Sequence, residues 1–227
     1  MKSRAMRRRW ILLPVLGLTT VLACGRDGGS RPAAPQAPPA GDVVITRLIP
    51  ARTVVADTVV IRGTGFGATA GTASFAGPGG SRRNAQIVSW SDTQLRVLVP
   101  DSAADGPVGV HAGSLDSNTL GFSVAPRLIS FVNDLVPQIF GIGSASACVG
   151  CHGGTNNLYL DSAQSLMQGT SLHGPVVIRR DSAASIIVQK VSSNPPFGAQ
   201  MPFGGTPLND AEILLLSDWI DQGARNN

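Results

Sequence analysis

Cys148-Val149-Gly150-Cys151-His152 constrains this chain more than any other stretch. Two thiols three positions apart, followed at once by an imidazole, form the attachment pattern for a c-type haem. If the stretch is helical, both sulfurs can reach haem vinyl groups as thioethers, with the adjacent histidine beneath the iron. Two other readings exist. Cys-x-x-Cys also makes redox disulfides, although those usually sit in a βαβ setting, and none is visible here. Half of a zinc site is the third reading, but zinc needs two more ligands. Beyond these residues the chain has one cysteine, Cys24, and two histidines, His111 and His173. The haem reading is therefore preferred, with one covalent haem c held by Cys148 and Cys151 and its iron ligated by His152.

The N-terminus reads as an export signal. Met1–Arg9 is basic, and Trp10–Ala23 is an apolar run interrupted by Pro14, too short to span a bilayer comfortably. It ends at Val21-Leu22-Ala23-Cys24-Gly25, which looks like a bacterial lipoprotein signal (residues 1–23), with Cys24 lipidated as the new N-terminus. Gly25 is not the aspartate associated with inner-membrane retention, so the resemblance implies an outer-membrane or cell-surface lipoprotein, facing the periplasm or the exterior. Lys2, Arg4, Arg7, Arg8 and Arg9 hold five of the 18 basic residues, leaving 13 against 14 acidic ones. No basic patch for nucleic acid survives that subtraction. Residues 24–41 form a Gly/Pro/Ala linker that cannot bury a core and would hold the folded part off the membrane.

Residues 42–126 read as all-β. Short β-branched runs, with Leu95, Val97 and Val99 alternating along one of them, are separated by Gly, Pro, Asn and Asp at sandwich-like spacing. Arg62-Gly63-Thr64-Gly65-Phe66-Gly67 invites a dinucleotide reading, but no helix or acidic partner of a βαβ unit follows. The glycines suit a tight turn, with Phe66 packed inward. Ile49-Pro50, Val60–Gly67, Ser89-Trp90-Ser91-Asp92-Thr93 and Val97-Leu98-Val99-Pro100 together resemble an IPT/TIG immunoglobulin-like domain. The resemblance implies a small β-sandwich used as a spacer or adhesion module.

Residues 127–227 carry the Cys-x-x-Cys-His motif. Helices are expected at Ile129–Phe140, where Pro137 should bend or restart the helix, and at Ala163–Met167 and Ala183–Val191, each after an Asp-Ser pair able to cap. The last helix is the clearest element: Asn209 and Glu212 have capping-box spacing, and Ile213, Leu215, Leu216, Trp219 and Ile220 share one face. Ser217, Asp218, Asp221 and Gln222 fall on the other face, and Gly223 is placed to end the helix. Cys148–Gly153, Met201-Pro202, Leu208–Glu212 and Trp219–Ala224 stand in the order seen in class I-type cytochromes c of the planctomycete type, and residues 127–227 resemble that family. The resemblance implies a mainly α cytochrome c fold after the all-β immunoglobulin-like sandwich, a terminal helix packed on the haem-motif helix, and a loop methionine as second axial ligand. Met201, in a Pro- and Gly-rich loop, is the candidate for that ligand.

The function so implied is one-electron transfer by an exported, lipid-anchored cytochrome with His/Met ligation, not an enzyme, exchanging electrons with redox partner proteins. The alternatives are a haem enzyme or gas sensor with an open distal site, and an adhesion or scaffold protein in which the haem domain is accessory.

Overall fold

The computed structural model describes residues 41–227. The signal at 1–23, Cys24 and nearly all of the linker lie outside the described residues. The described residues form one compact unit. It contains two hydrophobic cores, one inside a β-sandwich and one in a C-terminal lobe.

One sheet of the sandwich runs β1 (Val44–Ile49), β3 (Thr58–Thr64), β7 (Gln94–Leu98), β6 (Gln86–Trp90). The other runs β2 (Arg52–Thr53), β10 (Leu120–Val124), β8 (Gly106–Ala112), β4 (Thr72–Ala76), β5 (Arg82–Asn84), with β9 (Leu115–Asp116) on β8. All pairings are antiparallel except β2 with β10. The alternation in the sequence sets the register. Val59 pairs with Val97 and Ile61 with Leu95, and all four are wholly buried, because residues two apart on a strand point to the same face. From the opposite sheet come Phe75 and Phe122, whose rings meet edge to face at 5.0 Å. The register slips between Ile45 and Arg47 in β1 and between Ile87 and Ser89 in β6. β5 is exposed along its length.

The glycine-rich segment makes a turn. A Cβ on Gly63 would sit 2.0 Å from the carbonyl oxygen of Val44. The positive φ of Gly65, 75°, suits a residue without a Cβ. The turn is tied to the Ser89–Asp92 stretch: Gly67 N donates to Asp92 Oδ1 at 2.9 Å, and Trp90 Nε1 donates to the Gly67 carbonyl at 3.0 Å. Phe66 is buried there beside the Trp90 ring.

The C-terminal lobe is not the mainly α fold expected. Its helices are a ten-residue π-helix, Phe131–Phe140, then α1 (Ala163–Gln168), α2 (Ile186–Val191) and α3 (Asp210–Asp221), joined by turns, irregular chain and a two-stranded ribbon, β11 (Thr170–Ser171) with β12 (Gly174–Pro175). Across the described residues the strands of the sandwich dominate, which corrects the expected fold class. Two of the short helices begin under hydroxyl caps: Ser130 accepts from Asn133 N, and Ser162 from Ser165 N. The helix does not restart at Pro137 but runs on unbroken from Phe131 to Phe140. The helix widens instead, with bonds from Leu135 N to Ser130 O and from Gly141 N to Val136 O, five residues apart as in a π-helix.

α3 has the capping box in both directions: Asn209 N donates to Glu212 Oε2 at 2.8 Å, and Glu212 N to Asn209 Oδ1 at 3.0 Å. Leu216, Trp219 and Ile220 are buried in the lobe's core, where Phe131 packs on both Phe140 and Trp219. The supposedly polar face of α3 is also buried. Asp218, Asp221 and Gln222 are each less than a tenth exposed, because that face meets other parts of the chain. Gln222 accepts from Ile129 N at 2.7 Å and donates to the Arg127 carbonyl at 2.9 Å, satisfying both ends of its amide. Asp218 and Asp221 face the junction with the sandwich.

Three ion pairs cross that junction. Arg47 of β1 reaches both carboxylate oxygens of Asp181 at 2.7 Å, and Arg52 of β2 reaches Asp218 at 2.8 Å. In the reverse direction Arg180 grips both oxygens of Asp57 at 3.0 and 3.1 Å and also donates to the Thr58 carbonyl. The guanidinium fork matches the carboxylate plane, which fixes geometry as well as charge.

Candidate functional site

The chain after the π-helix turns at Ser144, whose hydroxyl donates towards the carbonyls of Ile139 and Gly141 and accepts from Ala147 N at 2.9 Å. That bond holds Ala147 in the left-handed region, φ 42°, a conformation that costs an L-residue roughly 1–2 kcal/mol. The strained residue launches a single 3-10 turn, Cys148–Gly150, closed by Cys151 N donating to Cys148 O at 3.2 Å. Cys148 and Cys151 therefore stand at the two ends of one turn, and both are free thiols.

Their surroundings differ. Cys148 is half-buried against the lobe's core, its Sγ donating to the Ile139 carbonyl at 3.3 Å. Burial pushes its thiol up to about 11, and the nearby Cys151 and Glu212 add to the rise. Cys151 is exposed. His152 follows, its backbone bonded to Cys148 O and Leu160 N, and its Nδ1 is buried without a hydrogen-bond partner. Such an orphan costs free energy unless something satisfies it. A bridge between Gly153 and Tyr159 folds the following segment back.

Met201 is half-buried and packs on the lobe's core, with its N–H donating to the Lys190 carbonyl at 2.8 Å. Apolar contact thus accounts for its place in the loop, as it does for Met167 on α1. His173 is exposed and stacks on the Phe197 ring with centroids 3.7 Å apart. His111 pairs with Asp116 across β8 and β9 at 2.9 Å. Cys24 lies outside the described residues.

As placed, these residues do not fit a haem c. The motif occupies one short turn, where a helix was expected. One sulfur is turned to a carbonyl beside the core while the other faces outward, so they share no open face. Phe140 and Trp219, two of the lobe's large aromatic side chains, are used up in its own core. Tyr159 and Phe203 are exposed. Neither of two clefts among the described residues is lined by Cys148, Cys151, His152 or Met201. One, of about 340 Å3, lies at the junction of sandwich and lobe between Arg47, Leu48, Pro50, Arg180, Asp181 and Asp221. The other, of about 320 Å3, lies beside α1, next to Gln164 and Met167. Among the described residues no group of three or more His, Cys, Asp or Glu is placed to hold a metal ion.

The junction is the more developed polar arrangement, and no local sequence pattern announces it. Burial works to raise Asp57, but the Arg180 guanidinium, the Thr53 hydroxyl and the Thr58 N–H outweigh it and hold the carboxyl below its ordinary value. Asp221 has no arginine. Burial raises it to about 6 although it accepts from Ser182 N and Oγ, and Asp218 and Asp181 push the same way. Asp218 is also raised, because burial outweighs the Arg52 contact.

No protein-family model matches the chain. Over 102 residues, 45% of its length, it is 33% identical to a cyclomaltodextrin glucanotransferase of Bacillus sp. (strain 6.6.3). Over 103 residues it is 35% identical to the enzyme of the same name from Niallia circulans. The chain spans only 13% of each of these relatives. Among solved structures, the γ-CGTase of alkalophilic Bacillus clarkii shares 24% identity at a TM-score of 0.33, covering 39% of this chain and 13% of that one. An auxiliary nutrient-binding protein of Bacteroides thetaiotaomicron shares 17% at a TM-score of 0.35, covering 41% and 24%.

These findings correct the linked expectations. The similarity found is to cyclomaltodextrin glucanotransferases, in place of an IPT/TIG domain joined to a cytochrome c. The haem c, the electron-transfer function and the alternatives built on a haem go with the cytochrome. The roles given to Cys148, Cys151, His152 and Met201 as haem ligands, and the redox partners, were expectations tied to that haem. Among the described residues no helix is long and apolar enough to cross a membrane.

Proposed function

We propose that the mature chain is a non-enzymatic accessory protein of the cell envelope. It is exported, cut before Cys24 and held at a membrane by lipid on that cysteine. Its β-sandwich acts as a rigid spacer carrying the C-terminal lobe. Gly25 after the lipid-bearing cysteine favours the outer membrane or the cell surface, and the Gly/Pro/Ala linker supplies reach.

The observation that carries the spacer reading is the use made of the sandwich's aromatic residues. Sugar-binding surfaces present flat apolar rings to solvent, and here the rings serve the fold. Phe66, Phe75 and Phe122 are buried, and Trp90 is half-buried with its indole N–H spent on the Gly67 carbonyl. The charged groups nearest the lobe are engaged in the junction.

A second reading is favoured by the similarity to cyclomaltodextrin glucanotransferases: an auxiliary module that binds an α-glucan. Calorimetric titration of the mature chain with β-cyclodextrin and maltoheptaose separates the two. The spacer reading expects no heat of binding up to millimolar ligand, and saturable binding below that overturns it in favour of the second. Attachment is tested independently: Cys24→Ser should abolish incorporation of labelled fatty acid. A wild-type chain recovered soluble with Cys24 unmodified would refute the anchor.

A further inference from the structure

We infer that Cys148 and Cys151 form an ordered dithiol pair, in which exposed Cys151 exchanges first with a low-molecular-weight disulfide and Cys148 then closes an intramolecular bond. The inference does not depend on the spacer reading. It rests on where one turn of chain puts two sulfurs.

Reach comes first. In a 3-10 turn the chain completes a revolution in three residues and rises about 2 Å per residue. Residues i and i+3 therefore stack with Cα atoms about 6 Å apart, inside the roughly 4.4–6.8 Å window of disulfides. The bond from Cys151 N to Cys148 O shows that the turn is closed. Joining the sulfurs needs the Cys148 side chain to rotate away from the Ile139 carbonyl, with no change of fold.

Order follows from the surroundings. The thiolate is the attacking species in exchange, and access limits the rate. Cys151 is exposed. Cys148 is half-buried, donates to the Ile139 carbonyl and is held protonated by burial. An outside disulfide therefore meets Cys151, while Cys148 is kept from side reactions until a disulfide lies one turn away. In the first step the Cys151 thiolate attacks R–S–S–R, forming Cys151–S–S–R and releasing R–S⁻. In the second, Cys148 loses its proton and attacks the Cys151 sulfur, the mixed disulfide breaks, and a second R–S⁻ leaves. The two electrons given up by the cysteines reduce R–S–S–R to two R–SH, which take the two thiol protons.

A pair in this arrangement suits an oxidising compartment, where structural thiols normally become paired. It also gives the strained residue next to the motif a role. Ala147 and the Ser144 hydroxyl fix the phase of the turn, and a shift in that phase would part the sulfurs.

The test uses the mature chain incubated across oxidised-to-reduced glutathione ratios, quenched in acid and digested with trypsin. Leu128–Arg179 contains no internal Lys or Arg, so both cysteines appear in one peptide. The expected product is that peptide lighter by two hydrogens, restored by dithiothreitol. Cys148→Ser should stop at the mixed glutathione disulfide on Cys151. Cys151→Ser should leave Cys148 at least tenfold slower to react with iodoacetamide than Cys151 is in Cys148→Ser. Two free thiols at every ratio would overturn the inference. So would any other covalent mass on the sulfurs, or equal reactivity of the two single variants.

Discussion

Replacing Arg180 by alanine removes the most connected contact between the sandwich and the C-terminal lobe. The guanidinium makes three hydrogen bonds, two to Asp57 and one to the Thr58 carbonyl. Asp57 would keep its bonds from the Thr53 hydroxyl and Thr58 N–H but remain a buried charge, its side chain only 7% exposed, without a counter-ion. Breaking a buried pair in this way costs about 3–5 kcal/mol. The Arg180 side chain is 32% exposed, and solvent screening lowers the figure towards that of surface pairs. A loss of about 2 kcal/mol follows, which for a unit of this size is a fall in Tm of roughly 4–8 °C. Trp90 reports on the sandwich and Trp219 on the lobe, so Trp90→Phe and Trp219→Phe backgrounds let fluorescence follow each half. With Arg180 present both probes should melt together. With Arg180→Ala the lobe should melt first, and calorimetry should show a broadened or split peak. Arg180→Lys should recover only part of the loss, since an ammonium lacks the fork. A fall in Tm below about 1 °C with coincident probes would refute the reasoning.

Asp221 gives the junction a pH dependence of opposite sign to that of Asp57. Its folded pKa, about 6, lies above the ordinary 3.8, so the fold binds a proton that the unfolded chain has released, and stability declines as pH rises from about 4 to about 6. Asp57 and Asp134 are lowered, so their contributions are present above the ordinary carboxylate pKa and are lost as pH falls below it. Urea melts across this range should give a maximum near pH 4–5. Asp221→Asn should flatten the decline between about 4 and 6, and an unchanged slope would count against the burial argument. Gly63→Ala should destabilise by about 3 kcal/mol, because its methyl would lie 2.0 Å from the Val44 carbonyl oxygen and overpacking against backbone has no cheap relaxation. A Tm within about 2 °C of wild type would contradict that.

What the sequence disclosed was what short-range periodicity controls. Leu95, Val97 and Val99 face one way because a strand alternates, and Asn209 with Glu212 caps a helix because three residues make one turn. The inward Phe66 and its glycine turn were legible for the same reason. The junction was not. Arg180 and Asp57 lie 123 residues apart, and Arg52 and Asp218 166 apart, and no local pattern joins them. Hence Asp218, Asp221 and Gln222 read as a solvated face when they are buried. The Cys-x-x-Cys-His motif misled in a different way. Five residues state which chemistry a segment could support, but whether two sulfurs share a face depends on Ile139 and Ala147, outside the motif. The Pro- and Gly-rich loop around Met201 holds no local apolar reason for a methionine, and the reason lies in the core folded behind it.

The sheet borders have a consequence for molecules crowded side by side. A strand with free amides and carbonyls invites a neighbour's strand to continue the ladder. Here β2 is two residues long, β5 presents Arg82 and Arg83, and β1 and β6 each lose register partway along. An approaching strand meets a stub, a pair of like charges or a kinked row of hydrogen-bonding groups, none of which it can follow for more than a few residues. These borders therefore offer a neighbouring copy no long ladder to extend.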